Sequence, residues 1–458
     1  MERDPMPDSC LSIPRLFRSR VAVLGFGRSG QSATDFLLAH GCIPRVYAQG
    51  GVPEDAKAKY LRNGVSFYDD FPETFEESVL VRSPVIHPDI LPIRRALARG
   101  AMLTGEADLF LAGTAATVIG VTGSDGKTTT ANMIAALLRT AGKRAVLGGN
   151  NGMPLLAHVD TLTSDDFAVV ELSSFQLMTA PSPHVAVITN ITPNHLNWHT
   201  DFFEYAAAKC RIYTAGAVRL VTNADCPATR EIGSRAALPV TWFSLCGSPD
   251  GDSIRVSGDD LIIKSEKDAE TVSVFRDFSL LGAHNRANFA AAVAAVLPFV
   301  DRTAIPTCAR EFRGVRHRLE HVATVDGVTY INSSIDTSPT RTAAALLALS
   351  CRPLVIVGGR GKGIDLAPLA DSLVAHARAV FLYGETASEI AAHLGARVPH
   401  MLCGRFADAF EAAVKDAGRG DTVLLSPGCT AFGEFRDFEE RGDAFCHLVK
   451  KLAQERKG

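Results

Sequence analysis

Near the start of the chain, four consecutive apolar positions, Val21 to Leu24, are followed by Gly25-x-Gly27-x-x-Gly30 and then by a mixed stretch from Ser32 to His40. That order predicts a buried strand, a tight turn and a helix, the opening of a βαβ unit. The alternation returns after Glu106. Short apolar runs at TVIGVTG (117–123), RAVLGG (144–149), FAVVELSS (167–174), VAVITNI (185–191) and VRLVTNAD (218–225) alternate with helix-like segments. Between 250 and 281 the rhythm changes. SIRVSGDDLIIKSEK predicts a hairpin turning at Gly258-Asp259-Asp260, TVSVFRDFSL a further strand, and NRANFAAAVAAVL a buried helix. From about Gly314 onward, VTYINSS, PLVIVGG, AVFLYGE and DTVLLSPG predict four more strands with helices between them. The expected fold is α/β in three domains, with boundaries near 105 and 314.

The length of 458 residues is too great for one ordinary core and fits that division. A net charge of −3 gives no electrostatic case for nucleic acid or an anionic membrane. The ten cysteines form no C-x-x-C pair, which fits reduced thiols rather than a disulfide frame or a zinc site. The opening MERDPMPDSC has no apolar signal-peptide core, and the longest nearly apolar run, 287–300, is too short to span a bilayer. These features lead us to expect a soluble, cytoplasmic protein.

The chemistry concentrates in GVTGSDGKTTT (120–130). It lacks the first glycine of a strict Walker A motif, where Val121 stands, but it joins an apolar strand to a helix. Gly123, Ser124, Asp125, Gly126, Lys127, Thr128 and Thr129 therefore form a candidate phosphate cradle, in which helix-terminal amides and Lys127 would meet a polyphosphate and Thr128 a magnesium ion. The alternative is a glycine turn beside a solvated lysine. Glu171 ends the strand FAVVE and could carry magnesium, or it could be an ordinary exposed strand-end acid. His195 follows a strand and would gain a role only if that strand lay beside those ending at Gly123 and Glu171. Helical spacing puts Tyr205, Lys209 and Tyr213 on one face. A desolvated Lys209 would be partly neutral, but spacing alone favours a surface lysine packing its stem on alanines. The Gly25-x-Gly27-x-x-Gly30 turn is either a diphosphate site or a packing device. No acid ends the second strand near Gln49, which counts against NAD.

Taken together, ELSSFQL (171–177), VTGSDGKTT, GGNNGMP (148–154), AAKCRIY and HNRANF (284–289) resemble the Mur ligases, ATP-dependent amide-forming enzymes of peptidoglycan assembly. The likeness runs nearly the whole length of the chain. It implies a Rossmann-like domain at 1–105 that binds a UDP-sugar, a central P-loop-type ATPase domain at 106–314, and a Rossmann-like domain at 315–458 that binds an amino acid. The substrates it implies are UDP-N-acetylmuramoyl-L-alanine and glutamate, used by a monomeric enzyme. Residue by residue, it assigns ATP to Gly123, Gly126, Lys127 and Thr128, with Asn285, Asn288 and Arg318. It assigns two magnesium ions to Thr128, Glu171 and His195, with Lys209 carbamylated by CO2 in support. It assigns the sugar nucleotide to Arg28, Ser29 and Asn150, and the amino acid to Thr337, Lys362 and Phe438.

Some positions depart from the family pattern. NSSIDTSPT (332–340) stands where many members read NDSKATN, so Ser333 replaces an aspartate, Ile335 replaces a lysine, and an acid, Asp336, appears three residues late. Ala431 occupies a position where a serine often meets the glutamate carboxylate, and Val85 replaces a glycine near the expected uridine site. These changes bear on amino-acid choice, D- against L-glutamate included, more than on the reaction. The competing readings are a related ligase such as a folylpolyglutamate synthetase, an NAD-dependent oxidoreductase, and a nucleotide-binding scaffold without turnover.

Overall fold

The computed structural model describes residues 16–456, apart from 151–152, 194–197, 215, 248, 266–267, 279, 281 and 362–364. The chain forms two compact units, Met1–Phe312 and Arg313–Gly458.

The first unit holds two sheets. The smaller has five parallel strands in the order Ser66–Tyr68, Arg45–Tyr47, Val21–Leu24, Val79–Arg82 and Met102–Gly105. The strand predicted at Val21–Leu24 is its fully buried centre, as a continuous apolar run requires. The larger sheet has nine strands. Its parallel part runs Val240–Ser244, Arg219–Asn223, Val185–Ile188, Thr117–Thr122, Phe167–Glu171, Ala145–Gly149. On the far side of Val240–Ser244, Ser253–Ser257 pairs with it in parallel and turns through Asp260–Lys264 and Ala269–Ser273 as an antiparallel meander. One continuous apolar core joins the two sheets, running from Val21, Val23 and Phe36 through Phe110 to Leu155, Leu172 and Leu177. The buried Glu106 carboxylate reinforces this join by accepting the backbone N–H groups of Leu155 and Leu156.

The hairpin turn needs correction. Ser257 pairs with Asp260, so only Gly258 and Asp259 form the turn, and Asp260 opens the next strand. Gly258 has φ +60, the left-handed conformation that a two-residue hairpin loop favours.

The second unit is a six-stranded sheet in the order Glu320–Val325, Val328–Asn332, Thr422–Gly428, Leu354–Gly358, Ala379–Tyr383, His400–Leu402. Only the first pair is antiparallel. The four expected strands are present, and two others flank them. The helices Pro339–Ala348, Ala367–His376 and Ala387–Leu394 pack on one face through Leu346, Leu369, Leu373 and Ile390. Phe406–Asp416 and Phe438–Glu455 cover the other through Phe410, Phe445 and Val449. The chain leaves Val328–Asn332 and Leu354–Gly358 toward the first face, whereas it leaves the intervening strand Thr422–Gly428 toward the second. The direction of the connections therefore switches at Thr422–Gly428, and the carboxyl ends of strands at such a switch point are the usual ligand position in sheets of this kind.

Candidate active site

Strand pairing places the candidate phosphate loop at the centre of the larger sheet. Thr117–Thr122 lies between Phe167–Glu171, with Val121 opposite Glu171, and Val185–Ile188, with Thr122 opposite Ile188. The loop ends, Glu171 and the segment after Ile188 thus meet at one sheet edge. This satisfies the condition set for His195, although His195 itself lies outside the described residues.

The loop is held by its neighbours. Gly123 has φ +150 and Gly126 φ +79. A Cβ at Gly123 would lie 1.9 Å from Thr189 Oγ1, and one at Gly126 would lie 2.5 Å from Asn288 Oδ1. Glycine is required at both positions by space as well as by backbone angle. Asn190 accepts the Asp125 N–H through its side chain and the Ser124 N–H through its carbonyl, both at 2.9 Å. The Ser124 hydroxyl donates to the Thr192 carbonyl and meets the Tyr205 hydroxyl, each at 2.8 Å. Lys127 donates to the carbonyls of Gly123 and Ser124 at 2.9 and 2.8 Å. Thr128 and Thr129 lie in the first turn of the helix Lys127–Thr140, whose leading amides face the loop. Asn288 abuts Gly126 from the helix Ala283–Val296, and Asn285 lies one turn earlier on that helix.

Lys209 is not a surface lysine. The residue is 2% exposed on the helix Phe202–Thr214. Its Nζ donates to the Gly123 carbonyl at 2.7 Å and sits 4.7 Å from the centroid of the Tyr205 ring. The surface reading favoured by spacing fails because the helix turns this face toward the sheet edge. Burial first, and then the Lys127 ammonium, hold the Lys209 ammonium well below its ordinary pKa, against the opposing pull of Glu171 and Asp125.

Glu171 is also buried, which removes its exposed-acid reading. Its Oε1 accepts from the Asn150 side chain at 2.9 Å, while Oε2 is buried without a hydrogen-bond partner. A buried, unpartnered carboxylate oxygen is costly unless something cationic meets it. Asn150, expected at the sugar nucleotide, spends its side-chain N–H on this acid.

ELSSFQL divides physically into three parts. Glu171 ends the strand. Ser173 and Gln176 close a capping box, so the serines start the short helix Ser174–Leu177 rather than prolong the strand. The Ser174 hydroxyl meets His199 Nε2 at 2.9 Å, and His199 Nδ1 lies 3.3 Å from Glu204 Oε2 at the start of the Lys209 helix. This buried link from the Glu171 segment to the Lys209 helix was not visible in sequence, where nothing marks His199 apart from other histidines.

The remaining expected residues lie elsewhere. Arg28 and Ser29 open the helix Arg28–Ala39 at the first glycine turn. There a Cβ on Gly30 would come within 2.1 Å of the Gly25 carbonyl, whereas one on Gly27 would meet nothing within 4 Å. The turn is therefore a packing device at Gly30 and open at Gly27. Val85 is exposed, and its carbonyl accepts the Trp198 indole N–H at 2.8 Å. Arg318, Thr337 and Phe438 belong to the second unit, and Lys362 lies outside the described residues. Asp336, in the loop after Val328–Asn332, accepts from Ser426 Oγ at 2.8 Å, and its carbonyl accepts the Gly428 N–H at 2.8 Å. Burial pushes its carboxyl up to about 6.

Two family models match the chain, the Mur ligase middle domain over residues 121–296 and the Mur ligase, glutamate ligase domain over residues 317–429. The UDP-N-acetylmuramoylalanine–D-glutamate ligase of Symbiobacterium thermophilum is 37% identical over 449 residues, 95% of this chain and 99% of that protein. The chain belongs to the Mur ligase family. The ligase of the same name from Acetivibrio thermocellus is 34% identical, over 96% of this chain and 97% of its own. Among solved structures, MurF from Acinetobacter baumannii superposes with a TM-score of 0.57 at 18% identity, over 94% of this chain and 93% of its own. MurC from Thermotoga maritima gives 0.55 at 15%, over 94% and 99%. These likenesses show that the family fold is shared. No described helix is long and apolar enough to cross a membrane.

Proposed function

We propose that the protein is an ATP-dependent ligase that joins D-glutamate to UDP-N-acetylmuramoyl-L-alanine through an acyl phosphate, with the release of ADP and phosphate, in the cytoplasm. Full-length relatives of that name support the substrates. The observation that carries the chemistry is the convergence of the Gly123–Thr129 loop, Lys127, Glu171 and Lys209 on one sheet edge. We further propose the three-domain division at 105 and 314, with the sugar nucleotide on the first domain near Arg28 and Ser29.

In this reading the γ-phosphoryl group passes from ATP to the alanine carboxylate. Glutamate's amine then attacks the acyl carbonyl, and the tetrahedral intermediate expels phosphate. The leading amides of the helix Lys127–Thr140 and the Lys127 ammonium hold the polyphosphate and offset charge as it shifts. The Glu171 oxygen that lacks a partner fits a divalent cation, and Thr128, Glu171, His195 and a carbamylated Lys209 would hold magnesium. When bound, magnesium supplies Lewis-acid stabilisation of the transferring phosphoryl group. A neutral Lys209 amine adds to CO2 and loses a proton, which gives the anionic carbamate. The Asn150 side chain orients Glu171. Asn285, Asn288 and Arg318 contact the nucleotide, and Thr337, Lys362 and Phe438 the amino acid.

The test is product formation from ATP, magnesium and UDP-N-acetylmuramoyl-L-alanine with D-glutamate, L-glutamate or no amino acid. An amide formed only with D-glutamate supports the proposal. An amide formed with L-glutamate instead, or phosphate release without an amide, refutes it.

A further inference from the structure

The second unit matches a glutamate ligase domain, and the connections of its sheet switch direction at the carboxyl ends of Val328–Asn332, Thr422–Gly428 and Leu354–Gly358, where a ligand crevice is expected. An acidic amino acid lodged there brings two carboxylates, so the crevice has to offer cations or N–H donors. The segment after Thr422–Gly428 offers few. Ala431 has no hydroxyl, and the Thr430 hydroxyl is already spent on the Arg360 carbonyl at 2.9 Å.

Arg318, whose charge acts on Asp336, is assigned above to the nucleotide, and four further arginines reach this rim among the described residues. Arg441 is fully buried and committed to the Ser334 hydroxyl and carbonyl, the Tyr383 hydroxyl and the Cys429 carbonyl. Arg341 folds back on the Ile335 carbonyl at 3.0 Å. Arg436 is paired through its backbone N–H and its guanidinium with Glu440 on the next helix. Arg360 differs. Its guanidinium is 62% exposed and meets only the equally exposed Glu385, at 3.6 Å, beyond hydrogen-bond range.

The backbone of Arg360 is nonetheless fixed. It pairs with Thr430 in a two-residue bridge, N–H to carbonyl at 3.0 Å and 3.1 Å in the two directions. The preceding Gly358 and Gly359 are packed so closely that a Cβ on either would come within 2.1 Å of a backbone oxygen. An exposed guanidinium held only by a loose ion pair with Glu385, on a backbone anchored beside Ala431, is available to meet a carboxylate in two-pronged fashion.

We propose that Arg360 binds a carboxylate of the incoming amino acid and takes over recognition that the residue at 431 does not supply. This inference rests on the ligase reading above. The test compares steady-state kinetics of the wild type with Arg360→Ala, Arg360→Lys and Glu385→Gln. Arg360→Ala is expected to raise the KM for glutamate about 10-fold or more, with the KM for ATP and for the sugar nucleotide unchanged. Arg360→Lys should recover only part of the loss, because an ammonium cannot reproduce the fork. Glu385→Gln should leave the glutamate KM unchanged or lower it, since it frees the guanidinium. A glutamate KM within about twofold of wild type in Arg360→Ala overturns the inference, as does an equal rise in the KM for ATP. Wild-type protein that forms no amide with glutamate refutes the ligase reading itself, a failure distinguishable from the first.

Discussion

Lys209 Nζ lies 2.7 Å from the carbonyl oxygen of Gly123, although 86 positions separate them in the chain. The contact ties the helix Phe202–Thr214 to the phosphate loop and places a depressed-pKa amine where phosphoryl chemistry would occur. Burial beside a second cation, Lys127, disfavours the charged form of Lys209 despite Glu171 and Asp125. The proposed carbamylation would relieve that conflict by turning the amine into an anion. Lys209→Met, which keeps most of the side-chain volume, should lower kcat by about 100-fold or more while the protein stays folded. Wild-type activity should fall in CO2-depleted buffer and return with bicarbonate, and 13C-labelled bicarbonate should give a carbamate resonance that Lys209→Met lacks.

Asn150 and Glu171 make a second testable pair. The Asn150 amide holds one carboxylate oxygen and leaves the other unpartnered. Groups that orient a metal-binding carboxylate matter nearly as much as the carboxylate itself. Asn150→Ala should therefore weaken magnesium binding, raising the magnesium concentration at half-maximal rate by about 10- to 100-fold. If Asn150 instead contacts the sugar nucleotide, the KM for that substrate moves and the magnesium dependence does not.

Asp336 provides a stability prediction. Burial raises its carboxyl from the ordinary 3.8 to about 6, against the lowering effect of hydrogen bonds from Ser333 and Ser426 and of Arg341 and Arg318. The folded state therefore holds this proton to higher pH than the unfolded chain does. The associated stability is fully present below about pH 4 and is lost as pH rises through about 6. Asp336→Asn keeps an acceptor for the Ser426 hydroxyl and does not titrate. Relative to wild type, it should gain stability between about pH 4.5 and about pH 7 in urea denaturation. A difference that stays constant across that window contradicts the assignment.

Much of this architecture is legible in the sequence, because the central strands of both large sheets are unbroken apolar runs that only burial on two faces explains. The strands not anticipated are of another kind. Glu320–Val325 is a partly exposed antiparallel edge strand, EHVATV, and His400–Leu402 is three exposed residues at the opposite edge. Neither needs a strong apolar pattern, since half or more of its surface faces water. The strand-to-helix loop at 123–126 was legible because its glycines sit between an apolar run and a helix-like segment. The Ser174–His199–Glu204 link, the Asn150–Glu171 bond and the commitment of Thr430 to Arg360 were not, because each depends on which distant side chains the sheet order brings together. Lys209 falls between the two cases. Spacing put it on a face with tyrosines, but only packing decides whether that face meets water.

In the proposed reaction ATP activates the alanine carboxylate as an acyl phosphate before D-glutamate attacks. The most direct measurement uses UDP-N-acetylmuramoyl-L-alanine carrying 18O in both carboxylate oxygens, with ATP, magnesium and D-glutamate, and mass analysis of the released phosphate and the amide. The account predicts one 18O in each phosphate and one in the carbonyl of the new amide, with release dependent on D-glutamate. Unlabelled phosphate, or phosphate released without amide formation, would contradict it.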